Sequence, residues 1–437
     1  MTTSVALFTR DLRVHDNPVL TAAHRTGDTV VPLFVVDREL VPDRCPPNRA
    51  HFLAAALAEL DDELRAIGGR LVLRRGDVVD EVDRVVAETG AAGVHLAEDV
   101  SGYSRSRARR LRERLRDRDC RVDEHAATVT AVDPELLVPS TGRDHFSVFT
   151  PYFRRWTEAH RRKPLGKPRA LTLPRIAGDP LPKPEDLCTG ESSPHLAVGG
   201  ETTGRKLLRD WLSGPLADYA RLGDDLAADA TSHLSPYLHF GCLSPAEVVH
   251  RVDMSTEGGQ AFARQLAWRD FHHQHLAARP EAAWHDYRAR QIRWRDDPRA
   301  VDAWRDGRTG YPIVDAGMRQ LRAEGWMPNR ARLITASFLT KSLRVHWRIG
   351  AAHFLHLLVD ADLANNQLNW QWVAGTGTDT RPHRVLNPLR QAKRYDPDGD
   401  YVRRWIPELA HLEGPRIHLP WRADADYPAP IVDCVGM

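Results

Sequence analysis

No tryptophan precedes Trp156, although the 437-residue chain holds 12 of them. Cysteine is sparse as well. Cys45, Cys120, Cys188, Cys242 and Cys434 stand far apart without a C-x-x-C pair, which excludes a disulfide framework and a paired-cysteine zinc site and fits a reducing compartment. Hydrophobic runs are short, and none approaches the roughly 20 apolar residues of a membrane span. The start, MTTSVALFTRDLR, lacks the basic region and long apolar stretch of a secretion signal. A soluble, cytoplasmic protein with no membrane segment and no metal site is expected. The first strand-like run leads into TRDLRVHDNP and not into G-x-G-x-x-G, so the glycine-lined turn that seats a dinucleotide pyrophosphate is missing too.

What is present is unevenly spread. With 42% hydrophobic and 27% charged residues the composition is that of an ordinary globular protein, and the length predicts two or three domains. The net charge of +2 hides a local excess, 17 Lys and Arg against 9 Asp and Glu across residues 264–348. A basic face follows, and a solvated arginine-rich surface accounts for the count equally well.

Three regions can be read in order. Residues 1–139 alternate short β-branched runs (5–8, 29–36, 70–74, 94–97) with helical patterns (18–24, 48–67, 78–88, 104–118). That spacing predicts an α/β, Rossmann-like, mostly parallel sheet with helices on both faces. The last of these helices, SRSRARRLRERLRDR, reads as a solvated, ion-paired face in preference to a nucleic-acid contact. Residues 140–204 read as a connector, because the prolines from Pro151 to Pro184 exclude regular helix and central strand. From Arg205 to the end helical periodicity dominates, predicting an all-α domain large enough to enclose a ligand.

Within that domain, residues 359–388 (VDADLANNQLNWQWVAGTGTDTRPHRVLNP) set Asp360, Asp362, Asn365 and Asn366 close to Trp370 and Trp372. Polar groups converging beside aromatic rings suit a large flat heterocycle with a hydrogen-bonding edge. In TSHLSPYLHFG, residues 231–241, Ser235-Pro236 reads as a helix start, with Thr231 and Ser232 placed to hold phosphate oxygens or simply to cap. Trp268, Trp294, Trp304, Trp326, Trp347, Trp370 and Trp372 read mostly as core packing, with a base-stacking platform as the functional alternative. In MPNRARL, residues 327–333, Asn329 and Arg330 are of the kinds that read base edges and phosphates, and Arg332 falls near the acidic pair.

Together with FTRDLRVHDNPVL, LAWRDF, GRTGYPIVDAGMRQLRAEGW and RVLNPLRQAKRYDPDGDYVRRWIPEL, these motifs resemble the photolyase/cryptochrome family of flavoproteins over nearly the whole chain. The likeness is to its bacterial class I cyclobutane pyrimidine dimer photolyases. The resemblance implies a helical domain holding FAD. Tyr219, Thr231, Ser232, Leu234 and Ser235 would hold its pyrophosphate and ribityl part, and Arg332 would pair with Asp360 beside the flavin ring, with Asp362 close by. Asn366 would sit at flavin N5, where an amide favours a repair enzyme over an animal-type photoreceptor. Trp370, Trp347 and Trp294 would carry electrons between flavin and surface.

On the substrate side the resemblance implies UV-damaged DNA bound by a monomer at the nucleoid, with the dimer flipped out of the duplex. Trp268 and Trp372 would stack on it, while Gln265, Arg269, Asn329, Arg330 and Gln391 would contact DNA. Four residues depart from the pattern: Gln265 stands for a glutamate, Gly223 for an arginine, Leu333 for a methionine and His233 for an arginine. Arg105 and Ser106 replace the Asn-Glu pair of a folate site, so the first domain would hold a deazaflavin or flavin antenna, or none. The alternative to repair is a cryptochrome-like photosensor that keeps FAD.

Overall fold

The computed structural model describes residues 1–38, 45–423 and 425–434. The first domain is built from β1 (Thr3–Leu7), α1 (Pro18–Thr26), β2 (Thr29–Asp37), α2 (Pro47–Arg65), β3 (Val72–Gly76), α3 (Val78–Thr89), β4 (Gly93–Ala97), α4 (Gly102–Leu115) and β5 (Arg121–His125). The five strands are all parallel in the order β3-β2-β1-β4-β5. β1 and β2 are buried along their whole length, as strands covered on both faces must be. Alternate residues feed opposite cores: Val5 and Leu7 face the core beneath α3 and α4, while Ala6 faces the one shared with the helical domain.

Strands and helices of this domain lie where periodicity predicts, within a few residues. β5 was not anticipated. Its residues RVDEH are half-exposed and charged, because an edge strand buries little and shows no apolar run. The arginine-rich helix is ion-paired to its own domain: Arg110 to Asp77 at 2.8 Å, Arg114 to Asp83 at 3.0 Å, and Arg112 and Arg118 to Glu124 and Asp83.

The connector differs from expectation in one respect. Phe149–Glu158 is a regular helix despite Pro151, which falls in the first turn, where its missing N–H has no intrahelical partner to lose. Asp270, on the long helix Glu257–Ala278, docks this helix. Its buried carboxylate accepts from Trp156 Nε1 (3.0 Å) and from the Ala131 and Val132 amides (2.9 and 3.2 Å). Beyond β5 the described residues contain no further strand. The helix Asn329–Ser337 runs on into a π-helical turn, Phe338–Ser342.

The loop after β1, where a dinucleotide turn would be, joins the two domains. Arg13 is 1% exposed and donates to the carbonyls of Asp16 (3.0 Å), Thr128 (3.2 Å) and Gly241 (2.9 Å). The Glu201 carboxylate accepts from the Val14 and His15 amides. Gly241 has φ +71°, and a Cβ there would lie 1.9 Å from the Arg10 carbonyl, so only glycine allows this approach. Arg13→Met should therefore cost about 3 kcal/mol by stranding buried carbonyls. Urea unfolding measures this, and wild-type stability would show that other donors replace it.

Candidate active site

Six helices, Tyr219–Leu222, Ser235–His239, Glu257–Ala278, Asn329–Ser337, Trp347–Leu357 and Leu363–Ala374, contribute walls to a cavity of about 500 Å³. It is lined by Tyr219, Thr231, Ser232, Leu234, Ser235, Arg332, Asp360, Asp362 and Asn366, all predicted from sequence to face a cofactor. Of the residues predicted to face DNA, Gln265, Trp268, Arg269, Asn329, Arg330 and Trp372 line the same cavity. Gln391, on the helix Pro388–Tyr395, lies outside its wall.

Two acids converge here, each with its own guanidinium. Arg332 binds Asp360 in a two-point fork at 3.1 and 2.8 Å and donates from Nε to the Met327 carbonyl. Asp362 caps the helix Leu363–Ala374 through the Asn365 amide (2.8 Å) and receives Arg10 Nη2 at 2.5 Å. Arg10 also reaches Asp99 at 3.3 Å. Burial acts to raise the pKa of Asp362, but the adjacent His273 and Arg10 outweigh it and hold the group well below its usual range. Arg10, which comes from the loop after β1, was not singled out by sequence reasoning. Its one signal was its place directly after a buried strand. His272 was missed as well. It lines the cavity with Nδ1 2.9 Å from Asn365 Oδ1, and burial depresses its pKa to about 4, so the ring is neutral at pH 7.

The lesion-side groups are less free than the motifs suggest. Trp268 lies flat against Phe149 of the connector helix, 3.7 Å between ring centres and 3° between planes. One face is covered, and the ring still lines the cavity. Arg269 donates to the Val129 and Leu238 carbonyls. Arg330 is ion-paired with Asp224 and sits 4.2 Å from the centre of the Tyr395 ring. At Gly223 a Cβ would meet the Tyr219 ring at 2.7 Å, so an arginine there requires that ring to move. His233 lines the cavity, bonds Asp229 at 2.9 Å and lies over Trp326 at 4.1 Å. Gln265 and Leu333 also line it.

Comparison with known proteins matches residues 4–172 to the DNA photolyase family and residues 262–436 to the FAD binding domain of DNA photolyase. A deoxyribodipyrimidine photo-lyase from Streptomyces griseus is 58% identical, covering 99% of this chain and 97% of that protein. The chain belongs to the photolyase/cryptochrome family. A crystal structure of a class III photolyase from Agrobacterium tumefaciens superposes with a TM-score of 0.91 at 34% identity, covering 99% of this chain and 95% of that one. An archaeal photolyase from Sulfolobus tokodaii, solved with two FAD molecules, gives 0.85 at 31%, covering 100% and 97%.

The cavity fits the FAD that this family binds. Thr231 Oγ1 is buried without a hydrogen-bond partner, an orphan that a ligand oxygen or hydroxyl satisfies. The Asn366 amide nitrogen is engaged by the Ala351 carbonyl (3.1 Å) and Gln367 Oε1 (3.2 Å), which leaves Oδ1 as its group for the cavity. Trp370 lines the cavity and is 2% exposed. Its ring packs on Gly350, where a Cβ would come within 2.1 Å. Gly350 lies one turn along the helix Trp347–Leu357 from Trp347, on the same face. Trp347 is fully buried, and half-buried Trp294 follows, 5.0 Å from the His346 ring that precedes Trp347.

Asp362→Asn should destabilise the protein by about 3 kcal/mol at pH 7 by leaving Arg10 half-paired. A depressed acid contributes stability above its unfolded pKa of about 4 and loses it as pH falls through the folded value. The gap between variant and wild type in thermal or urea unfolding should thus close in acid. A gap independent of pH would assign the effect to helix capping alone.

Proposed function

We propose that this family member is a carbon–carbon lyase that repairs cyclobutane pyrimidine dimers in UV-damaged DNA in the light. One observation carries the reading. A single cavity joins the acid and amide groups of a flavin site to Trp268, a ring backed by Phe149 and free to stack on its other face. Reduced FAD held by these residues would supply the light-driven electron transfer that opens the dimer.

The protein's part is to bind, orient and exclude water. Thr231, Ser232 and Ser235 would hold the phosphate and ribityl oxygens, and the Arg332–Asp360 fork would fix the flavin edge. Asn366 Oδ1 would accept from flavin N5–H. Trp268 and Trp372 would take the flipped dimer between aromatic surfaces, with Gln265 and Asn329 bonding the pyrimidine edges. Arg330 would leave Asp224 for a phosphate, so DNA binding would weaken with salt. The protein would act on this DNA as a monomer at the nucleoid.

An antenna chromophore would occupy the first domain, where a cavity of about 230 Å³ lies at the carboxyl ends of β2 and β3. Tyr103, Arg107 and Arg110 of α4 wall it together with Asp37 and Asp77, and Arg110 is paired with Asp77, so the Tyr103 ring and Arg107 are the groups that a deazaflavin or flavin would meet.

Loss of dimers from a thymine-dimer oligonucleotide, by the reduced protein in blue light and not in darkness, is the expected result. No repair, with FAD bound and photoreducible, would leave a photosensor as the function and point to Gln265 and Gly223. Trp268→Ala should weaken lesion binding by about 1–3 kcal/mol in a salt-matched titration. Unchanged affinity would make Trp268 a core residue only.

A further inference from the structure

Of the three tryptophans in the electron path, Trp347 is the one whose ring N–H ends on a carboxylate. Its Nε1 donates to Asp286 Oδ1 at 2.7 Å. Asp286 belongs to the segment between the turn Pro280–Ala283 and the helix Pro298–Arg305, and that segment is pinned beside it. Gln371, fully buried and next to Trp370 in sequence, accepts from the Tyr287 amide (2.8 Å) and donates to the His285 carbonyl (3.1 Å). The Arg288 amide donates to the Thr376 carbonyl at 2.7 Å. Arg348, with its guanidinium 5.8 Å from the ring centre, and His346 at 5.9 Å also approach the Trp347 ring. Neither favours a positive charge on the indole.

Trp370 has a second tryptophan neighbour. Trp304 meets its ring at 6.1 Å, edge to face, and is fully buried. Its N–H ends on a neutral group, the Thr335 carbonyl, at 3.0 Å, and Phe354 stacks on it at 6.1 Å. An electron vacancy on Trp370 therefore has two indoles within the surrounding core to draw on, Trp347 on the helix whose Gly350 its ring packs against, leading towards Trp294 and the surface, and Trp304, a closed end. A carboxylate on the ring N–H stabilises an oxidised indole more than a peptide carbonyl does, because the bond is charge-assisted, and here it is half-buried and so only partly screened by water.

We propose that Asp286 is a positioning residue that directs the vacancy from Trp370 to Trp347 and away from Trp304. This rests on the family's photoreduction path as read above. In the step, one electron leaves the Trp347 indole and restores Trp370. The Nε1 proton stays within the hydrogen bond, shared with the Asp286 carboxylate. It returns fully to Nε1 when Trp294 supplies the next electron, so only an electron is moved and no atom is lost. The immediate oxidant is the electron-deficient Trp370, and FAD held in the cavity would supply the first oxidation when excited by light.

The test compares the FAD-loaded wild-type protein with Asp286→Asn, Asp286→Ala and Asp286→Glu, using flash photolysis of the oxidised form. Asn keeps the shape and removes the charge. The yield of long-lived charge separation should fall about tenfold in the Asn and Ala variants, stay near wild type with Glu, and recover in part when Trp304→Phe is added to Asp286→Asn. Independently of flavin, the indole ¹H–¹⁵N resonance of Trp347 should move upfield in Asp286→Asn while the other indoles hold still. Trp347→Phe separates the two levels of the argument. If that variant photoreduces normally, the path itself is misassigned. If Trp347→Phe is blocked while Asp286→Asn and Asp286→Ala, with full flavin content, match the wild type, the role given to Asp286 is overturned.

Discussion

Arg10 between Asp99 and Asp362 is the contact on which the rest of the molecule depends. The guanidinium leaves the end of β1, takes one acid from the end of β4 and the other from the helix Leu363–Ala374. In a parallel sheet of this order, β1 and β4 flank the point where the chain reverses direction, the usual place for a ligand. Here a side chain fills it and ties it to the flavin cavity of the next domain. Removing the guanidinium would leave two acids buried near each other, which is why the joint is held so firmly.

The connector has a larger part than a tether. Its helix Phe149–Glu158 supplies the ring that backs Trp268, and Trp156 donates to Asp270 on the same helix that carries Trp268. The lesion-facing platform is thus assembled from two segments more than a hundred residues apart. Rigidity follows from this, since a ring stacked on one face has few rotamers left to lose when a base stacks on the other.

Much of the first domain was legible because its strands are β-branched runs buried on both faces and its helices have clear starts. β5 and the helix Phe149–Glu158 were not, one for want of apolar residues and the other because Pro151 masks a helix it does not break. At the site, nearly every motif residue does face one cavity, since the acids, amides and tryptophans of residues 359–388 share a helix and its cap. Arg10 and His272 went unnoticed. Neither belongs to a spacing pattern, and each gains its role from a partner far along the chain, Asp362 for one and Asn365 for the other.

The order of residues alone determined the parallel α/β domain, the helical domain and the family, because periodicity and long motifs are local properties of the chain. Tertiary structure alone decided which charges are neutralised and which rings are free. Arg330 turned out to be paired with Asp224, Trp268 to be covered on one side, and Trp347 to rest its N–H on Asp286. Ion pairing weakens with distance and stacking needs direct contact, so both depend on distances that the chain acquires only when it has folded.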